Sequence, residues 1–104
     1  MNAVIYLVLA ILFEVAGTTS MKLSNGFTQL LPSILIFVFY FISFGFLTLS
    51  LKRLEVSTAY AVWSGLGTLL IVLIGMLFFK ESMTMIKAIS LLLIILGVIG
   101  LRLG

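Results

Sequence analysis

Glu14 is the residue of this 104-residue chain with the most chemistry to offer. It is the one charged side chain set well inside an apolar run, with more than a turn of apolar helix on either side. A charged group near the centre of a membrane-spanning helix costs roughly 2.5 kcal/mol or more, so an acid retained there reads as functional. Desolvation disfavours the charged form of any carboxyl, and a second carboxyl nearby disfavours it further, which makes such a group a candidate proton site. Ala10, Gly17 and Thr18 stand at i−4, i+3 and i+4, a stripe of small residues that leaves room beside the acid for a cation. The competing reading is structural: a neutral glutamic acid hydrogen-bonded to Thr18 one turn on, gluing helices together.

An organic cation also needs aromatic faces, whose quadrupole contributes about 0.5 to 2 kcal/mol each. Tyr60 and Trp63 are three apart and share a helix face, with Gly67 one turn beyond Trp63. Tyr40 is a further phenol, placed near the middle of its apolar run rather than at the ends, where interfacial aromatic belts lie. For Tyr60, close to the start of its run, a belt position remains open. Phe13, Phe37, Phe39, Phe41, Phe44, Phe46, Phe78 and Phe79 read as packing or lipid-facing residues without chemistry. Ser64-Gly65-Leu66-Gly67 puts two glycines inside an apolar stretch, which permits either a bend or close backbone packing. With no cysteine and no histidine, thiol nucleophiles, zinc sites and Ser-His-Asp chemistry are excluded, and neither a metal nor a cofactor is expected. The lone G-x-G lacks the lysine of a phosphate loop.

The elements that must position these residues follow from composition. At 63% hydrophobic and 9% charged, the chain is far from the soluble norm of roughly half apolar and a quarter charged. Its solvent must be lipid. A bilayer core of roughly 30 Å needs about 20 apolar helical residues, and four such runs are present: 3–21, 30–51, 57–79 and 86–103. The breaks carry turn and charge signals, Ser24-Asn25-Gly26, Lys52-Arg53 and Lys80-Glu81-Ser82, and Pro32 falls in the first turn of the second run, where its missing N–H costs little. The expected fold is an all-α integral membrane protein, a four-helix up-and-down bundle in a single membrane domain over 1–104. The first run does not read as a cleaved signal, since no Lys or Arg precedes it and Glu14 interrupts it.

Lys and Arg in short loops are normally retained in the cytoplasm. Here Lys52, Arg53 and Arg102 fall on one side and Lys22, Lys80 and Lys87 on the other, a balance that favours neither orientation. The expectation is insertion both ways, with opposite copies pairing into an antiparallel, dual-topology dimer. Ser90 and Gly97, seven apart on one face of the fourth run with Gly100 beyond, form a candidate dimer seam; a contact within one chain is the other reading. The scattered positive charges do not point to nucleic acid.

The chain as a whole resembles the small multidrug resistance family. The likeness rests on E-V-x-G-T at Glu14 to Thr18, M-K-x-S-x-G-F at Met21 to Phe27, Pro32, A-Y-A-x-W-S-G-x-G at Ala59 to Gly67, and the small residues of the fourth run. The resemblance implies a bacterial inner-membrane antiporter, an antiparallel homodimer that exchanges protons for lipophilic or quaternary ammonium cations by alternating access. It implies that Glu14 is the site shared by proton and cation, that Tyr40, Tyr60 and Trp63 bind the cation, and that Ala10, Gly17, Thr18 and Ser64 line the pocket. Gly65 and Gly67 then match a kink in the third helix, and Gly97 the dimerising fourth.

Relatives that export guanidinium carry a tryptophan three residues after the glutamate; Gly17 here implies an open pocket suited to bulkier cations. The chain departs from the family at Glu55 and Ser57, where a proline and a glycine are usual, and such departures occur in members that work as heterodimers with a paralogous subunit. Guanidinium or polyamine export and a heterodimeric role therefore stay open within the family, and outside it a small dual-topology ion channel. Nothing points to an enzyme.

Overall fold

The computed structural model of the protein describes residues 2–104, and among these every regular element is helical. Four helices follow in order: α1 (Asn2–Leu23), α2 (Leu30–Ser50), α3 (Val56–Phe78) and α4 (Met85–Leu103). Their ends fall within two residues of the runs read from sequence. With 22, 21, 23 and 19 residues at 1.5 Å per residue, they span about 33, 32, 35 and 29 Å, each enough to cross a bilayer core. All four are long and apolar enough to cross a membrane. The protein is a multi-pass membrane protein.

Two compact units divide the chain, a helical hairpin ending at Leu54 and a second from Glu55 to Gly104. The first is held by a recurrence that composition alone hides. Ala3, Ala10, Gly17 and Ser24 step by seven and are all buried, as are Ile36, Ser43 and Ser50 on the opposing helix. A seven-residue repeat keeps one seam facing its partner, and small residues there let backbones approach without a hydrophobic driving force. The register is pinned where Ser43 Oγ donates to the Ala10 carbonyl at 2.7 Å. Beside this seam, Tyr6, Phe46, Phe13 and Phe39 form a continuous run of ring contacts at 6.0, 5.9 and 6.1 Å between centroids. Tyr6 and Phe13 are seven apart on α1, and Phe39 and Phe46 seven apart on α2.

The α1–α2 connection is a tight turn organised by Ser24. Its hydroxyl donates to the Met21 carbonyl and accepts from the Phe27 amide, while its carbonyl accepts from the amides of Thr28 and Gln29. Asn25, Gly26 and Phe27 all take positive φ, a conformation that costs Gly26 nothing and is unusual for a residue as bulky as Phe27. The Phe27 ring stacks on Phe37 at 6.5 Å.

In the second hairpin α3 runs unbroken through Ser64-Gly65-Leu66-Gly67. A Cβ added at Gly65 would stand 2.6 Å from Val98 Cγ2, so Gly65 lets α4 pack against α3. Close packing is thus the role this conformation gives Gly65; Gly67 is also buried. Thr84 caps α4 by accepting the Lys87 amide at 3.2 Å, and Lys87 Nζ donates to the Ser82 carbonyl at 2.7 Å. No residue of α4 is buried. Its apolar surface lies open to lipid or to another protein.

Candidate functional site

Glu14 lies nine residues from the nearer end of α1, about 14 Å along the helix axis at 1.5 Å per residue. Tyr40 is the midpoint of α2, ten residues from either end. The antiparallel hairpin brings the two together deep within the spans. Thr18 Oγ1 donates to Glu14 Oε2 at 2.8 Å, and Thr18 Oγ1 and the Tyr40 hydroxyl are 2.6 Å apart. Thr18 has a single hydroxyl proton, so once that proton is given to Glu14 the Tyr40 hydroxyl must be the donor to Thr18. Tyr40 also reaches Glu14 Oε2 at 3.3 Å and Met21 Sδ at 3.9 Å. The chain of donors therefore runs from Tyr40 through Thr18 to the carboxylate. Both printed contacts of the carboxylate, from Thr18 and from Tyr40, fall on Oε2.

Gly17 makes this arrangement possible. A Cβ there would stand 2.9 and 3.0 Å from Tyr40 Cε2 and Cδ2 and 3.4 Å from Phe39 Cβ, inside the 3.5–4.0 Å of comfortable carbon contact. The space that Gly17 and Ala10 leave is accordingly taken up by α2. Ala10 is wholly buried at the seam, and the Tyr40 ring lies over Gly17. The sequence predicts open room at this position; the small residues instead admit the neighbouring helix, and the ring they admit carries the hydroxyl that reaches the acid. Of the two readings of the Glu14–Thr18 pair, the hydrogen bond itself is present, and it is part of a network that includes Tyr40.

In the second hairpin Tyr60 and Trp63 meet edge to face, 6.3 Å between centroids at 68°, within the range of favourable aromatic pairs. Tyr60 is 66% exposed and Trp63 half-buried. Ser64 is exposed and its carbonyl accepts from Thr68 Oγ1 at 2.6 Å. Ser90 and Gly97 on α4 are both exposed, and a Cβ at Gly97 would meet nothing within 4 Å. Glu55 stands at the N-cap of α3, where its carboxylate accepts from Thr58 Oγ1 at 3.4 Å.

Three further residues of this hairpin were given no role by sequence. Ser43 ties α2 to Ala10, Met21 Sδ lies 3.9 Å from the Tyr40 hydroxyl, and Tyr6 opens the ring series. Ser43 is three beyond Tyr40, on the same helix face, and its place in the seven-residue series was the available signal.

Glu14, Thr18 and Tyr40 thus form a hydrogen-bonded polar cluster inside an apolar span. The model of the Small Multidrug Resistance protein family matches residues 2–94, and the chain belongs to that family. It is similar to the membrane protein YvaE of Bacillus subtilis, 60% identical over 99 residues, which cover 95% of this chain and 83% of that one. It is also similar to the multidrug resistance protein EbrB of Bacillus subtilis, 45% identical over 102 residues, covering 98% of this chain and 87% of EbrB. The quaternary ammonium compound-resistance protein QacH of Staphylococcus saprophyticus is 40% identical over 98 residues, covering 94% and 92%.

Proposed function

We propose that the protein is a proton-coupled antiporter of a bacterial inner membrane that exports lipophilic or quaternary ammonium cations. The observation that carries this reading is the Glu14 carboxylate, held mid-span by Thr18 with the Tyr40 hydroxyl behind it. The named relatives for multidrug and quaternary ammonium resistance support the substrate class. An organic cation binds ionised Glu14 by Coulomb attraction, which is strong where water is excluded. A proton arriving at the same oxygen removes that attraction and releases the cation. Because proton and cation exclude each other, an inward proton gradient drives export.

The working unit is an antiparallel dimer in which two copies in opposite orientations place their Glu14 residues on a common cavity. The three-against-three division of Lys and Arg supports dual insertion. Each copy adds Tyr60 and Trp63 as cation-binding faces, with Thr18, Tyr40 and Ser64 as lining residues, while Ala10 and Gly17 seat α2 behind them. The exposed Ser90–Gly97 face of α4 is the seam between copies. Exchange of conformations between the two copies alternates access, with Gly65 and Gly67 allowing α3 to bend as α4 shifts against it.

The test is uptake of a quaternary ammonium ion into proteoliposomes holding the purified chain, driven by an imposed pH gradient. Saturable uptake that collapses in Glu14→Gln supports the reading. Proton-driven uptake retained by Glu14→Gln would overturn it, as would ion conductance without proton exchange, the behaviour of a channel. Running guanidinium beside a tetra-alkylammonium ion separates the two branches of the family, and activity of this chain alone separates a homodimer from an obligatory heterodimer.

A further inference from the structure

Away from Glu14, the first hairpin carries a second polar feature at the end where α1 begins and α2 finishes. A groove of about 390 Å³ opens there, lined by Asn2, Ala3, Tyr6, Leu49, Lys52 and Arg53. That volume lies in the ~300–1,000 Å³ range of small-ligand pockets. We propose that this groove binds the phosphate headgroup of an anionic membrane lipid.

Charge is the first argument. Lys52 and Arg53 stand side by side on a turn whose backbone is fully engaged: Leu51, Lys52, Arg53 and Leu54 donate to the carbonyls of Leu47, Leu49, Ser50 and Ser50. The turn holds both cations at the groove. The sole acid of this hairpin, Glu14, is twelve residues up α1 from Asn2, about 18 Å away along the helix. Glu55, the next acid in the chain, takes its hydrogen bond from Thr58. The first turn of α1 adds amide N–H groups that the helix cannot satisfy internally, together with the positive end of its dipole. The two cations and the helix terminus in the lining thus favour an anion.

The apolar part of the lining favours a lipid as the source of that anion. Leu49 and the ring of Tyr6 complete the groove, and Tyr6 is fixed by its stack on Phe46 at 6.0 Å. A free phosphate gains nothing from such surfaces, whereas the glycerol and first methylenes of a lipid do. The groove also lies at the end of a membrane-spanning hairpin, where lipid phosphates are found, and basic pockets between such helices bind anionic headgroups.

The experiment uses the full purified chain in detergent, titrated with dioleoylphosphatidylglycerol or dioleoylphosphatidylcholine and read by native mass spectrometry. Each surface cation is worth about fivefold in affinity for an anionic lipid, so Lys52→Gln/Arg53→Gln should lose about thirtyfold in phosphatidylglycerol binding. The swapped pair Lys52→Arg/Arg53→Lys should retain it, which guards against a folding defect. The control pair Lys80→Gln/Lys87→Gln, equal in charge removed, should bind as the parent does. Equal loss in both Gln pairs, or no preference for phosphatidylglycerol over phosphatidylcholine, would overturn the proposal. Displacement of phosphatidylglycerol by millimolar inorganic phosphate would overturn the assignment to a lipid.

Discussion

Gly17→Ala is the substitution whose outcome the geometry fixes most tightly. The new Cβ would stand 2.9 Å from Tyr40 Cε2, and relief to a contact of at least 3.5 Å requires the ring to retreat by about 0.6 Å. A retreat of that size takes the Tyr40–Glu14 distance from 3.3 Å beyond hydrogen-bond reach. The tighter Thr18–Tyr40 contact of 2.6 Å survives it. Overpacking of this kind costs about 1–3 kcal/mol, while alanine in place of a helical glycine contributes about 0.5–1 kcal/mol. The net expectation is destabilisation by about 1 kcal/mol. In a Tyr40→Ala background the ring is gone, only Phe39 Cβ at 3.4 Å remains near, and the same change should stabilise by up to about 0.5–1 kcal/mol. Tyr40→Phe should fall between, since the ring stays but its hydroxyl tethers are lost. The assay is equilibrium unfolding in mixed micelles by circular dichroism, run as a double-mutant cycle, with a coupling of about 1–3 kcal/mol expected. Equal effects of Gly17→Ala in both backgrounds would refute the claim that Gly17 exists to seat Tyr40.

Gly65→Ala meets Val98 Cγ2 at 2.6 Å, so it should destabilise the second hairpin by about 1–3 kcal/mol, and Val98→Ala should restore most of the loss in the same unfolding assay. A Cβ at Gly97 meets nothing within 4 Å; the effect of Gly97→Leu should appear in self-association, measured by energy transfer between labelled copies, with helix content unchanged. Trp63→Ala removes one aromatic face and should weaken binding of an aromatic cation by about 2- to 30-fold, from 0.5–2 kcal/mol. A smaller loss is expected for a tetra-alkylammonium ion, and equal losses would remove Trp63 from the cation site.

The helices were legible because a bilayer demands long uninterrupted apolar runs, and the breaks at Ser24-Asn25-Gly26, Lys52-Arg53 and Lys80-Glu81-Ser82 have no other reading. Glu14 was legible for the complementary reason, since one acid in such a run stands out against the cost of burying it. The partner of each helix was less so. Composition does not distinguish a small residue beside a cavity from one beside a neighbouring helix, and Ala10 and Gly17 were read as the former. The seven-residue series through Ala3, Ala10 and Gly17 on α1 and Ile36, Ser43 and Ser50 on α2 carries the answer, but only once the two are laid antiparallel. Tyr40 was visible as a misplaced phenol, whereas its hydrogen bond to Thr18 joins residues 22 apart and depends on the register that Ser43 sets. For Gly65 the sequence left bending and close packing level; the position of Val98 supplies the close packing.

Stoichiometric proton release tests the shared-site account most directly. Purified protein in weakly buffered detergent solution, at each of a series of starting pH values, is mixed with a lipophilic quaternary ammonium ion while a pH indicator is followed. The account predicts that binding expels protons in proportion to the cation bound, and that Glu14→Gln expels none. Cation binding without proton release, or equal release from Glu14→Gln, would contradict it.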